Sequence, residues 1–184
     1  MSSFTKLSYH IVFATKYRKP TIPESIQESL YEYIGGIIRS RHGALVQIGG
    51  VADHVHILAR LSASVTVSDV VRDVKAGSSK WIYDLDTQSP WDGWQKGYGA
   101  FTVSYPQTEA VRKYIQNQAE HHRQKTFQEE FADFLTRHAI EYDPRFLFED
   151  ERIRTQIKFL SGGEKARLII ARILKNGGNF LILD

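Results

Sequence analysis

The spacing of apolar residues predicts that strands and helices alternate along the first hundred residues. Runs of aromatic and β-branched residues are typical of strands, and apolar residues three or four positions apart are typical of helices. The predicted strands are residues 7–15, 44–48 and 55–61, and a fourth that ends the glycine-rich stretch 93–104. The predicted helices begin at two N-capping residues, Thr21 and Ser68, and run to about residues 41 and 82.

The order strand, helix, strand, strand, helix, strand is the split βαβ, or ferredoxin-like, pattern. It predicts an α+β fold in which an antiparallel sheet carries helices on one face. Gly49 and Gly50 separate the second and third strands and predict the turn of a hairpin. A third helix, beginning at Thr108, is additional to this core, and a short helix is predicted over residues 127–138.

Composition narrows the classes of protein that the chain can belong to. Apolar residues make up 42% of the sequence and there is no cysteine, which excludes a disulfide framework, a thiolate metal site and a cysteine nucleophile. We expect a cytoplasmic protein, because no run approaches the roughly 20 apolar residues of a membrane span. The formal net charge of +3 permits a nucleic-acid partner without requiring one.

Two histidines alternate with apolar residues in the run DHVHIL, residues 53–58, on the third predicted strand. Side chains along a strand point to opposite faces in turn, so His54 and His56 point the same way, with Cα atoms about 6.6 Å apart. Two imidazoles on the open face of a sheet can bind one divalent metal ion. Because surface or core histidines are a commoner origin of such a pair, a third ligand is required.

The third predicted helix carries polar, chemically reactive side chains on one face. Tyr114 and Gln118 are four residues apart and are therefore neighbours on a helix. A tyrosine hydroxyl can attack phosphorus when a cation neutralises the charge of the phosphate. The chain contains nine tyrosines, so packing in a partly buried position remains the alternative interpretation of Tyr114.

Together, the HVHIL strand and the YIQNQ helix resemble the single-tyrosine HUH transposases of small bacterial insertion sequences and their REP-associated relatives. The likeness extends over roughly residues 4–149. Several segments in the same order are more specific than either motif alone. The matching segments are YHIVFATK, GGVADHVHIL, KAGSSKWI, GYGAFTVS and VRKYIQNQAEHHRQKTFQEEF.

The resemblance implies a role for each residue that matches these motifs. His54 and His56 correspond to the two histidines that bind Mg²⁺ or Mn²⁺. Tyr114 corresponds to the nucleophile, and Gln118 corresponds to the third metal ligand. Asn117 is a lesser candidate for that ligand, because it lies three rather than four residues beyond the tyrosine.

The resemblance also implies the reaction and the partners. Tyr114 would attack a phosphodiester of single-stranded DNA, leaving a 5′-phosphotyrosine and a free 3′-hydroxyl that can later be rejoined. Relatives act as homodimers on imperfect DNA hairpins, and the tyrosine helix of one subunit can work in trans on the histidines of the other. The basic residues expected to contact DNA are Arg72, Lys75 and Lys80 on the second helix and Arg112 and Lys113 on the third.

The end of the chain resembles a different family. The run FLSGGEKARL, residues 159–168, resembles the signature motif of ABC-type ATPases, and FLILD, residues 180–184, resembles the start of a Walker B strand. No GxxxxGK[ST] phosphate loop occurs in the sequence, so we do not expect ATP as a ligand. We therefore predict a transposase domain over residues 1–150 and an incomplete ATPase-like fragment, without function, over residues 151–184.

Four functions are compatible with these patterns. The leading hypothesis is a metal-dependent DNA transposase. A domesticated nuclease that cleaves repeated hairpins would use the same residues, and a non-catalytic single-stranded DNA-binding module would retain them in part. An ATPase is disfavoured by the absent phosphate loop. A complete set of Tyr114, His54, His56 and Gln118 favours catalysis over binding alone.

Overall fold

The computed structural model describes residues 4–85, 90–143 and 147. The chain divides into two compact units, of which the first, Met1–Glu141, contains almost all of these residues. The predicted ATPase-like fragment lies outside the described residues, and so does the predicted domain boundary at residue 150. Among the described residues, no helix is long and apolar enough to cross a membrane.

The first unit is built on a four-stranded antiparallel sheet with the strand order β2-β3-β1-β4. Two helices, α1 and α2, connect the strands of this sheet in the predicted split βαβ order. The α+β, ferredoxin-like prediction is therefore confirmed. The elements are β1 (Leu7–Ala14), α1 (Glu24–Ser40), β2 (Ala44–Val51), β3 (His54–Leu61), α2 (Val67–Asp84) and β4 (Gly99–Thr102).

One face of the sheet holds the hydrophobic core. Alternation along β1 and β3 sends one set of side chains toward α1 and α2, and these helices bury apolar stripes against them. Burial of these side chains supplies the main stabilisation of the unit. The core includes Ile11, Phe13, Val55, Ile57, Ala59 and Leu61 from the strands, Leu30, Ile34, Ile38, Val70, Val71, Val74 and Ile82 from the helices, and Ile22 from the segment before α1.

Three further helices cover the opposite face of the sheet. They are α3 (Thr108–Gln116), α4 (Gln118–His121) and α5 (Phe127–Arg137), and short 3₁₀ turns occur at Lys16–Arg18 and Tyr105–Gln107. A capping box starts α5, in which the Thr126 side chain and the Glu129 side chain each bind the other's backbone N–H. The additional helix that carries the tyrosine is therefore present, on the face opposite the core helices.

Several predicted boundaries differ from the structure. The helix predicted to start at Thr21 starts at Glu24, because Pro23 is the last extended residue. The second helix is capped by Thr66 rather than Ser68, since the Thr66 hydroxyl accepts from the Asp69 N–H. The tyrosine helix is not continuous, because Asn117 leaves the helical conformation (φ −97°, ψ 18°) and Gln118 starts α4.

The prediction of a turn at Gly49-Gly50 is wrong. Both residues lie inside β2, and the turn to β3 is formed by Ala52 and Asp53. A Cβ atom on Gly49 would collide with the backbone carbonyl of Ile115, and one on Gly50 would collide with the carbonyl of His54. Gly49 is therefore explained by the close approach of α3 to the sheet, and Gly50 by the close approach of the β3 backbone at His54.

We predict that Gly49→Ala destabilises the unit by on the order of 1–3 kcal/mol, because the new methyl group separates α3 from β2. Gly36→Ala is the matched control: a Cβ there meets nothing closer than an arginine nitrogen at 3.9 Å. In the middle of α1, alanine stabilises by up to about 1 kcal/mol relative to glycine. Urea unfolding of both variants measures the difference, and equal stabilities would contradict this account of Gly49.

Candidate metal and nucleophile site

His54 and His56 lie on the face of β3 that the three additional helices cover. Both side chains are completely buried, at 0% exposure, so the prediction that they occupy an open face is wrong. Helix α5 covers both histidines. The ring centroids of Phe127 and His54 are 4.6 Å apart, and those of Phe134 and His56 are 6.1 Å apart. The same-face prediction for the two histidines is confirmed by their common environment.

Each of these histidines has one ring nitrogen bound and the other unpartnered. His54 Nδ1 lies 2.6 Å from the Asp53 carboxylate, and His56 Nδ1 lies 3.0 Å from His10 Nε2. The Nε2 atoms of both rings are buried and have no hydrogen-bond partner. A hydrogen-bond acceptor at Nδ1, most often a carboxylate or a carbonyl, with Nε2 left free, is the arrangement that orients metal-binding histidines.

The break at Asn117 redirects Gln118 into the same cluster. Gln118 is 1% exposed, and its amide nitrogen lies 3.2 Å from Glu130 Oε1. Its Oε1 atom is buried without a partner. The Tyr114 hydroxyl donates to that same Glu130 oxygen. Asn117, the lesser candidate for the third ligand, is exposed.

The carboxyl group of Glu130 is the point around which the predicted site residues meet. Glu130 lies on α5 and is 2% exposed. Its Oε2 atom lies 3.2 Å from His56 Nε2, 3.3 Å from His122 Nε2 and 3.8 Å from His54 Nε2. Oε2 has no hydrogen-bond partner.

The sequence reasoning missed Glu130 as a member of the site. The surrounding residues 129–133 include three acidic side chains, so the segment has the composition of a solvated helix face. Helical spacing could have indicated that Glu130 is buried. Phe127, Glu130 and Phe134 are three and four residues apart and therefore share one face of the helix. A carboxylate between two aromatic residues on a buried face requires polar partners.

The sequence did not identify His122 as a metal ligand, but His122 belongs to the same cluster. Its Nδ1 atom lies 2.8 Å from the carbonyl oxygen of Lys125, and its Nε2 atom is buried without a partner. The donor atoms of His54, His56, His122 and Glu130 all lie within 4.8 Å of one another. Among the described residues, this is the group of histidines and carboxylates that could hold a metal ion.

Burial controls the charges in this cluster. It lowers the pKa values of His10 and His122 to about 4, helped for His10 by the nearby His138 and for His122 by the nearby His54. The pKa of His56 is well below its usual value, because of burial and then of the neighbouring histidines. Burial, assisted by Asp53, raises the pKa of Glu130 to about 8. At neutral pH, therefore, the short contacts of His56 and His122 with Glu130 are contacts between uncharged groups rather than ion pairs.

The basic residues predicted to contact DNA fall into two sets. Arg72, Lys75 and Lys80 lie on α2, on the opposite side of the sheet from the histidines. The Lys75 ammonium donates to the backbone carbonyls of Gln95 and Gly97. Arg72 pairs with Asp69 and Asp73, and Lys80 pairs with Asp84.

Arg112 and Lys113 belong to the tyrosine helix itself. Arg112 pairs with Glu109, and Lys113 is exposed. A cavity of about 590 Å³ beside the site adds basic residues that the DNA-contact prediction did not include. Its polar and aromatic lining includes Tyr17, Arg18, Asp53, His122, Arg123 and Lys125.

The buried histidines predict how the stability of the metal-free protein changes with pH. The pKa of His10 is about 4 in the folded state and about 6.5 in the unfolded state. The unfolded chain therefore binds the proton first, and the free energy of unfolding falls as pH falls from 6.5 to 4. For His10 this loss is on the order of 3 kcal/mol.

Urea unfolding in EDTA across this pH range measures the effect, and His10→Gln is the comparison. Glutamine can still accept the His56 hydrogen bond but does not titrate. We expect a shallower pH dependence in the variant, with the difference between the two proteins confined to pH 4–6.5. Parallel curves would show that His10 is not held neutral by burial.

Known proteins with a similar sequence or fold include several transposases. A sequence model of the family described as Transposase IS200 like matches residues 3–118. ISDra2 transposase TnpA of Deinococcus radiodurans is 25% identical over 118 residues, which cover 61% of this chain and 84% of that protein. The crystal structure of a putative transposase from Deinococcus radiodurans is 27% identical and has a TM-score of 0.52, covering 64% of this chain and 95% of that one.

Two further proteins are similar to this chain in a more limited way: one shares only the fold, and the other matches only a short segment of the sequence. The structure of a REP-associated tyrosine transposase bound to a REP hairpin has a TM-score of 0.50 at 14% identity, covering 66% of this chain and 74% of that one. ATP-binding protein Uup-like of Haemophilus influenzae is 48% identical over 50 residues, which are 27% of this chain and 11% of that protein. The family match spans more than half of the chain and contains His54, His56, Tyr114 and Gln118. The chain therefore belongs to the family of IS200-like transposases.

Proposed function

We propose that this transposase is a metal-dependent tyrosine endonuclease and strand transferase that acts on single-stranded DNA hairpins. One observation carries the proposal. The Tyr114 hydroxyl, the Gln118 amide and His56 Nε2 all lie within 3.2 Å of the carboxyl group of one buried residue, Glu130, and His54 Nε2 lies 3.8 Å from it. A nucleophile and three potential metal ligands thus meet at one point.

His54, His56 and Gln118 are the residues that would hold Mg²⁺ or Mn²⁺. Their Nε2 and Oε1 atoms are buried and unpartnered, which is costly unless a further group binds there. Burial also keeps the His56 ring in the neutral form that binds a cation. When bound, the ion would supply Lewis-acid activation of the scissile phosphate.

Tyr114 supplies the nucleophile. Its oxygen forms a bond to phosphorus, the bond from phosphorus to the 3′ oxygen breaks, and that oxygen takes up a proton as the phenol loses one. The products are a 5′-phosphotyrosine and a free 3′-hydroxyl, which can attack the ester in the reverse direction. The hydrogen bond to Glu130 holds the hydroxyl beside the histidines before DNA binds.

The hairpin substrate is supported by the similarity to the fold of the REP-associated transposase, which was determined with a REP hairpin. The cavity beside His122, which is lined by Arg18, Arg123 and Lys125, would hold nucleotides next to the scissile phosphate. The protein would also form a homodimer. In this chain Tyr114 lies against the histidines of its own subunit, and the ring centroids of Tyr114 and His56 are 5.9 Å apart.

A binding module without cleavage activity is the second candidate. The observation that favours it is the Glu130 carboxyl, which lies between Tyr114 and the histidines where a phosphate would have to approach. Cleavage therefore requires Glu130 to share this space with the phosphate or to leave it. A covalent-adduct assay distinguishes the two functions.

We predict that incubation with labelled single-stranded hairpin DNA and Mn²⁺ gives a covalent protein–DNA adduct on a denaturing gel. Tyr114→Phe removes only the nucleophilic oxygen, so the adduct disappears while binding to the hairpin on a native gel persists. Tyr105→Phe, at an exposed tyrosine, is the matched control and retains the adduct. Binding by every protein without any adduct would support the non-catalytic module.

We predict that the two basic sets differ in their effect on DNA affinity. Replacing Arg112 and Lys113 by glutamine weakens hairpin binding and lowers the slope of log K against log salt by up to about 0.7 per lost contact. Replacing Arg72 and Lys80 by glutamine leaves the affinity within about twofold, because α2 lies on the face of the sheet away from the histidines. Titrations at several salt concentrations check both expectations, and the reverse order would place the DNA on α2.

A further inference from the structure

We propose that His122 and Glu130 are additional ligands of the same metal ion, so that three imidazoles, one amide and one carboxylate surround it. The inference rests on the proposed function, which supplies His54, His56 and Gln118. Both additional residues lie beyond residue 118, where the match to the family model ends. The site of this chain would therefore be larger than the three-ligand site that the resemblance implies.

The hydrogen bond of His122 determines which of its nitrogens can bind a metal. Its Nδ1 atom lies 2.8 Å from the Lys125 carbonyl oxygen, and a carbonyl only accepts, so Nδ1 carries the proton. In the neutral ring, Nε2 then holds the free lone pair. That atom is buried, unpartnered and 3.3 Å from Glu130 Oε2. The ring centroids of His122 and His54 are 4.4 Å apart, so both rings reach the same space.

The two oxygens of Glu130 have different environments. Oε1 accepts from the Tyr114 hydroxyl and from the Gln118 amide. Oε2 faces three imidazole nitrogens at 3.2–3.8 Å and has no partner. One oxygen can therefore bind the metal while the other holds the nucleophile, which would fix Tyr114 next to the ion.

The spacing of the donor atoms fits a single ion. The donors of His54, His56, His122 and Glu130 lie within 4.8 Å of one another. Two ligands on opposite sides of one transition-metal ion lie roughly 4.2 Å apart. The largest separation exceeds this limit by roughly 0.6 Å, a difference that small side-chain rotations would remove on metal binding. His121 is excluded from the set because its Nε2 faces Oε1, the oxygen on the Tyr114 side, at 3.5 Å.

This ligand set has two consequences. Three imidazole donors favour a first-row transition-metal ion over Mg²⁺, which prefers oxygen ligands and retained water. Five protein donors would leave one position of an octahedral ion for a phosphate oxygen. Metal binding would also join α5 to β3, because Glu130 and the two strand histidines would share the ion.

The test is calorimetric titration of Mn²⁺ into the EDTA-treated full chain. We expect one site in the unmodified protein and a Kd weakened roughly tenfold or more in Glu130→Gln and in His122→Gln. Glutamine has the shape of the protonated Glu130 side chain, so folding is preserved. Glu120→Gln and His42→Asn change exposed residues of the same types and keep the unmodified Kd.

Mn²⁺ binding by His54→Gln tests the three-ligand site of the proposed function independently of the two additional ligands. If that variant loses Mn²⁺ while Glu130→Gln and His122→Gln bind it as the unmodified protein does, the three-ligand site stands and the additional ligands are wrong. If the unmodified protein binds no Mn²⁺, the proposed metal dependence fails as well.

A second measurement tests the ligand set directly on the unmodified protein. Pulsed electron paramagnetic resonance of the unmodified chain loaded with one Cu²⁺ counts the coordinated imidazoles. Three imidazoles support the inference, and two overturn the assignment of His122. The count should fall from three to two in His122→Gln and stay at three in His42→Asn.

Discussion

The structure depends on how buried polar atoms are satisfied on one face of the sheet. His54, His56, Gln118 and Glu130 are each at most 2% exposed, and each has at least one unpartnered nitrogen or oxygen. An unsatisfied buried polar atom costs about 1–3 kcal/mol, so a cluster of them is unstable unless the atoms serve a further group. The neutral His56 imidazole and the protonated Glu130 limit this cost in the metal-free protein, because burial of unpaired charges would be far more expensive. A bound cation would satisfy the same atoms and convert that cost into binding free energy.

One face of the sheet carries the hydrophobic core, and the other face carries the candidate metal and nucleophile site. Val55 and Ile57 pack against α1 and α2, while His54 and His56, from the same strand, face α3, α4 and α5. The strict alternation of a β-strand makes this division possible within a few residues. Since the core lies on the other side, the site face can carry polar groups without interrupting the main hydrophobic layer. Gly49 completes the arrangement by letting the tyrosine helix lie directly on β2.

Much of this architecture could be predicted from the sequence. Alternation in DHVHIL places both histidines on one face, and helical spacing identified α1, α2 and the tyrosine helix, since both patterns depend only on neighbouring residues. The order of the elements indicated the split βαβ sheet, and the matching motifs indicated the transposase family. The same local reasoning was wrong about a turn at Gly49-Gly50. Gly49 is required by the close approach of Ile115, a residue 66 positions away by its number, and such a contact has no local signal in the sequence.

The sequence by itself determined the fold class, the family and the residues Tyr114, His54, His56 and Gln118 that enter the cluster. Only the tertiary structure decided that His122 and Glu130 join them, that the histidines are buried and that α2 lies behind the site. Strand and helix periodicities act between residues a few positions apart, and are therefore visible in one dimension. The meeting of Glu130 with His56, 74 positions apart by their numbers, depends on how α5 packs across the sheet, and no local pattern encodes that packing.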